Sequence, residues 1–238
     1  MNKHHQEILS LIKENANTPT QHTFLVGYLG NAHPKYAIDS PTLRLIAKEW
    51  MRDHKTMKAD GFQKLITSLV KGKSATEKMI AGMLLDLSTE EQRSFDPTYF
   101  DEWLNHVEGW AEVDTLCTGK YPITEIPSNL TTWKKLLLTF SKSNNINKRR
   151  ASLVFLCSPI SKEANKALAK LGFTLIDRLK GEKEILITKA ISWLLRSMVR
   201  YHKSMVSDYV KINRETLPAI AVRETMVKIE TGRKNPKF

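Results

Sequence analysis

The chain has 238 residues, 41% hydrophobic and 26% charged, with 37 Lys and Arg against 25 Asp and Glu for a net charge of +12. This length supports a proper core, and no apolar run approaches the roughly 20 residues of a membrane span, so a soluble, cytoplasmic, monomeric protein is expected. Cys117 and Cys157 both lie in apolar helical segments and read as reduced core thiols rather than a disulfide framework.

The N-terminal MNKHHQEILSLIKEN is amphipathic, with Ile8, Leu9, Leu11 and Ile12 on one stripe. In IDSPTLRLIAKEW, Ser40 suits a helix cap and Pro41 the first helical position, ahead of a Leu43, Ile46, Ala47, Trp50 stripe. Leu65, Ile66, Leu69 and Val70 make a third stripe. Further along, Pro97, Pro122, Pro127 and Pro159 with Gly72, Gly119, Gly172 and Gly181 divide the chain into short helices. The stretch 121–129, YPITEIPSN, reads as an irregular connection between repeats. Sustained alternation of apolar and polar residues is hard to find, which predicts an all-α fold. No linker marks a boundary, so 1–238 reads as one domain. His4 and His5 are adjacent and the other histidines scattered, without ligand spacing, so no metal or other cofactor is expected.

A longer period runs through these helices. From Lys78, 36 residues lead to Asp114, another 36 to Arg150, 39 to Lys189 and 34 to Arg223, each in an amphipathic segment. This is the spacing of a helical-repeat array, in which equivalent helices line one face. One carboxylate thus stands in a row of cations, with Trp110 and Trp193 each a helical turn from the row. Charge is equally uneven: residues 1–147 carry 17 Lys and Arg against 17 Asp and Glu, whereas 148–238 carry 20 against 8. The whole net charge lies in the C-terminal part, which favours a polyanionic partner.

The segments YLGNAHPKYAIDSPTLRLIAKEW, WAEVD, RRASLVF and TKAISWLLR, in this order and at these separations, resemble the AlkD-type DNA alkylation repair glycosylases from about residue 20 to about 228. The resemblance implies a solenoid of about six HEAT-like helical pairs with a concave basic groove for duplex DNA. The implied activity is hydrolysis of the N-glycosidic bond of cationic alkylpurines such as 3-methyladenine and 7-methylguanine, without drawing the base into a deep pocket, unlike base-flipping enzymes. By the same resemblance Asp114 is the catalytic carboxylate, Trp110 and Trp193 contact the sugar, and Arg150 and Tyr28 belong to the DNA groove. Lys189, Arg149 and Arg196 are expected at the DNA backbone.

These residue types suit that chemistry. A cationic purine leaves as a neutral base and needs no general acid; an ionised Asp stabilises the cationic sugar and orients water, and indole faces attract cations. The other reading of each residue is structural: an unmatched Trp is usually core, which is where Trp50, Trp103 and Trp133 belong, and Asp86 and Asp177 read as surface ion pairs. Two rival functions share the fold: a non-catalytic protein binding branched or distorted DNA, and a protein-binding repeat scaffold. The set of Trp110, Asp114 and Trp193 favours the enzyme.

Overall fold

In the computed structural model, residues 2–16 and 33–234 are described. They form thirteen helices and no strand, as the periodicity predicts. Tyr28 lies outside the described residues. The chain divides into two compact units, Met1–Tyr121 and Pro122–Phe238.

Among the described residues, the first unit has seven helices: α1 (Lys3–Glu14), α2 (Ser40–Asp53), α3 (Ala59–Val70), α4 (Ala75–Leu87), the short α5 (Glu90–Arg93) and α6 (Tyr99–Trp103), and α7 (Gly109–Cys117). Helix α4 packs on both α2 and α7, while α3 packs on α1, α4 and α5. The stripes read from sequence are the buried faces: Leu43, Ile46, Ala47 and Trp50 of α2 are at most 6% exposed, and Leu65, Ile66, Leu69 and Val70 of α3 are fully buried. Several helix starts have a local cause. Ser74 caps α4 in a reciprocal capping box with Glu77. Asp39, not Ser40, caps α2, accepting the Thr42 N–H at 2.7 Å and leaving Pro41 in the first turn, where no N–H is required.

The α4–α7 contact is unusually close. A Cβ placed on Gly82 of α4 would lie 2.3 Å from the backbone oxygen of Thr115 on α7. In Gly82→Ala, helix propensity contributes at most about 1 kcal/mol, whereas separating two backbones costs typically 1–3 kcal/mol. The expected outcome is a melting temperature several degrees lower. A variant as stable as the parent would show that the two helices part without cost.

The second unit contains α9 (Leu130–Phe140), α10 (Ile146–Ile160), α11 (Lys166–Leu179), α12 (Ile185–Ile212) and α13 (Ala219–Thr231). Helices α10, α12 and α13 pack in succession, and α9 and α11 pack on one another and on α10. The helices carrying Arg150, Lys189 and Arg223 are therefore neighbours in space, as are those carrying Lys78 and Asp114 in the first unit. Trp50, Trp103 and Trp133 are core residues, 4%, 0% and 1% exposed, and both cysteines are buried and unbridged.

Two local readings need correction. The stretch 121–129 is not an irregular connection: α8 spans Lys120–Ser128. Pro122 is its third residue, where its missing N–H breaks no helical bond, and Pro127 comes one residue before the end. Helix α12 runs 28 residues with neither Gly nor Pro, and bends at His202, whose φ of −128° and ψ of 35° leave the helical region. The bend lets one continuous segment serve two packing positions: its first half carries Lys189 and Trp193, and its second half brings Tyr209 onto Phe173 and Asp177 of α11.

Candidate DNA-repair site

Helix α7 presents Trp110 and Asp114 on one side. Ala111, Glu112, Val113, Leu116 and Cys117 are buried, while Trp110 and Asp114, four residues apart and so one turn apart, are half-buried. Gly109 starts the helix with φ of 67°, a conformation that favours glycine, and thereby sets where Trp110 begins. Behind the helix, the fully buried Glu112 accepts the Glu108 N–H at 2.8 Å and bonds the His33 ring at 3.0 Å. Burial pushes the Glu112 carboxyl up, against the pull of Glu108, His33 and Lys78.

Asp114 lines an open cleft of about 180 Å³ together with Arg44, Met83, Asp86, Thr115 and Thr118. The Thr118 hydroxyl donates to the Asp114 backbone oxygen at 2.7 Å, steadying the end of α7. Asp86, expected as an ion-pair partner, has that role within the same cleft: it accepts the Lys120 N–H at 2.7 Å and lies 3.7 Å from Arg44. Gly119, at φ of 88°, makes this approach possible, since a Cβ there would meet Asp86 Oδ1 at 2.4 Å. The cleft thus holds two carboxyl groups, Asp86 and the half-buried Asp114.

In the second unit, α12 carries Lys189, Trp193, Arg196 and Arg200 at spacings of three and four. Trp193, Arg196 and Arg200 line a separate pocket of about 270 Å³ with Lys162, Lys228 and Lys234. No acidic side chain lines it. Arg196 is partly neutralised from behind: Glu224 lies 3.3 Å away and itself accepts the Ser192 hydroxyl at 2.6 Å. Burial lowers the Arg196 pKa while Glu224 raises it. An indole beside five cations is suited to anions that carry a flat or apolar group, such as nucleotides.

The remaining cations differ in exposure. Lys78 is 2% exposed and donates to the Gly72 carbonyl. Arg150 is 4% exposed and donates to the Leu186 carbonyl at 2.5 Å, bracing the start of α12 on α10. Arg149 makes a forked pair with Glu182 at 2.9 and 3.2 Å and donates to the carbonyls of Ser143 and Asn144. These internal bonds compete with the backbone contact expected of it. Lys189 is half-buried and Arg223 exposed.

With this geometry the chain matches the family of DNA alkylation repair enzymes over residues 8–229. It belongs to that family. Membership gives it a role in DNA repair, as an enzyme. It is also similar to a solved structure of a predicted DNA alkylation repair enzyme from Enterococcus faecalis, with 17% identity, a TM-score of 0.65 and 94% of each chain covered, a likeness of fold. No curated protein matches the chain. Among the described residues no helix is long and apolar enough to cross a membrane.

Within this repair-enzyme fold the sequence reading missed Lys162, Arg200, Lys228 and Lys234. Their signal was present in two pieces: the charge excess beyond residue 147, and the stripe from Trp193 through Arg196 to Arg200. What joined them was the packing of α10, α12 and α13. Arg150 carries two expected effects with separate readouts. Loss of the Leu186 bond in Arg150→Ala lowers the melting temperature, and loss of a phosphate contact lowers the slope of log affinity against log salt by about one. An unchanged slope would leave Arg150 with the packing role alone.

Proposed function

We propose that this chain is a DNA glycosylase that hydrolyses the N-glycosidic bond of positively charged alkylpurines, 3-methyladenine and 7-methylguanine, in duplex DNA without extruding the base. The observation that carries this reading is Asp114: a half-buried carboxylate lining a cleft, one turn from an indole on the same helix, in a chain of the DNA alkylation repair family.

In this reading the bond from the sugar C1′ to the purine nitrogen breaks with its electron pair moving onto the base, which is cationic before departure and neutral after it. Positive charge develops on the sugar. Asp114 faces that charge, and at about 4 Å with an effective dielectric near 20 the attraction is worth about 4 kcal/mol, against about 1 kcal/mol in open water. Partial drying of the cleft by bound DNA therefore decides how much Asp114 contributes. A water oriented by the same carboxylate adds to C1′, and its proton passes to solvent. Trp110, one turn from Asp114, offers its indole face to the sugar and the lesion, and Trp193 offers another to the bound DNA, on the order of 0.5–2 kcal/mol each. Arg150, Lys189, Arg196 and the cations around Trp193 neutralise phosphates. The whole chain acts as one repair module and as a monomer.

Two measurements separate this from its rivals. Binding of undamaged duplex, followed by fluorescence anisotropy from low to moderate salt, should weaken steeply as salt rises; a protein-binding scaffold would show no such binding. Release of free purine from alkylated duplex separates the enzyme from a non-catalytic DNA binder.

A further inference from the structure

Far along the sequence from Asp114, α1 and the end of α2 bring three ligating side chains together. His4 and Glu7, at i and i+3, share one face of α1; His54 is the residue that ends α2. His4 Nδ1 lies 2.9 Å from Glu7 Oε2, His54 Nε2 lies 3.9 Å from the same oxygen, and the three ligand atoms all fall within 4.8 Å of one another. The His4–His5 pair that looked uninformative in sequence is divided between two jobs. His5 turns inward, with Nδ1 2.8 Å from Ser68 Oγ and Nε2 2.8 Å from Glu77 Oε1, so only His4 faces the cluster.

The surroundings fix the orientation of the third ligand. His54 Nδ1 is 2.8 Å from the Trp50 carbonyl oxygen, which can only accept, so the ring proton sits on Nδ1. His54 Nε2 then faces the Glu7 carboxylate oxygen, so that an ion held between them would meet both as ligands. Stacking on Trp50, with ring centroids 3.9 Å apart and planes 9° apart, holds the imidazole in place. A ligating His whose other nitrogen donates to a backbone carbonyl is the usual outer support of a protein metal site. Lys64, which lines the adjoining cleft, is paired with Asp60 at 2.7 Å.

We propose that His4, Glu7 and His54 bind one zinc-like divalent transition-metal ion, through Nδ1, a carboxylate oxygen and Nε2, tying α1 to α2. Zinc bonds to nitrogen and oxygen of about 2.0–2.2 Å in a tetrahedron place neighbouring ligand atoms roughly 3.3–3.5 Å apart. The observed separations of 2.9 and 3.9 Å fall on either side of that value, so small side-chain rotations suffice. Two imidazoles with one carboxylate favour zinc, nickel, cobalt or copper over magnesium and calcium. Water takes the fourth position, since all three side chains are partly solvent-exposed, at 27–38%.

The test uses the full chain without an affinity tag, stripped with a chelator and titrated with zinc chloride by calorimetry, with thermal melting in parallel. One equivalent of zinc should bind and raise the melting temperature, magnesium should do neither, and cobalt should give a visible absorption band. His4→Gln and Glu7→Gln should each weaken zinc binding by at least about tenfold, the lower end of what even an outer-shell change costs, and should leave the metal-free melting temperature within a few degrees of the parent. Absence of stoichiometric zinc binding to the parent chain overturns the proposal, as does undiminished binding in both variants. Because neither readout involves DNA, the result stands apart from the glycosylase reading.

Discussion

Replacing Asp114 with Asn is expected to slow excision of 7-methylguanine by roughly 10²-fold or more, the scale of losing one preorganised electrostatic group. A hundredfold corresponds to about 2.7 kcal/mol of transition-state stabilisation. That falls between the roughly 1 kcal/mol of an attraction in open water and the roughly 4 kcal/mol of one at a partly dried surface, as suits a half-buried carboxylate in an open cleft. Asn keeps the size and removes the charge, so duplex binding should be unchanged or slightly tighter beside the polyanion. Single-turnover excision rates and anisotropy on the same folded variant separate the two effects. Parental excision rates in Asp114→Asn would remove Asp114 from the chemistry.

The larger contrast is expected among lesions. Without a proton donor at the leaving base, the enzyme depends on lesions whose own positive charge weakens the bond. It should release 3-methyladenine and 7-methylguanine and leave hypoxanthine, uracil and ethenoadenine essentially untouched, because a neutral base would depart as an anion. Glycoside hydrolases ordinarily solve this with a second, protonated carboxyl. Among the described residues, neither Asp86 nor Glu112 fits that role. Asp86 shares the cleft but is engaged by the Lys120 N–H at 2.7 Å and lies 3.7 Å from Arg44. Glu112 lies two residues before Asp114, about 200° around the helix, fully buried and bonded to His33 and Glu108. A panel of duplexes, each with one defined lesion, compared at equal enzyme concentration, checks this. Efficient hypoxanthine release would demand an acid, and Asp86 would be the first to replace.

How much of this was legible in sequence depended on whether the signal was local. Stripes such as Leu65, Ile66, Leu69 and Val70 announce their helices because burial of one face needs only periodicity. The four-residue step from Trp110 to Asp114 likewise places both on one side of α7 with no tertiary information. The failures came where local signals compete. Two prolines suggested a loop at 121–129, yet one stands in the first turn of α8, where no N–H is required, and the other, one residue before the end, removes a single helical bond. The bend of α12 at His202 carries neither Gly nor Pro and has no sequence marker. Similar spacing placed Lys78, Asp114, Arg150 and Lys189 in one row but said nothing of burial, and Lys78 and Arg150 proved to brace carbonyl groups. The cluster of His4, Glu7 and His54 was the least legible, since its third member comes from another helix and adjacent histidines lack ligand spacing.

The central claim is glycosidic hydrolysis of a cationic purine, and it is tested most directly by incubating the parent protein with duplex DNA carrying one 7-methylguanine and analysing the small-molecule fraction by mass spectrometry. Free 7-methylguanine is expected in amounts matching the alkali-labile abasic sites left in the DNA. Duplex that is bound by the protein yet recovered with its 7-methylguanine intact would contradict it.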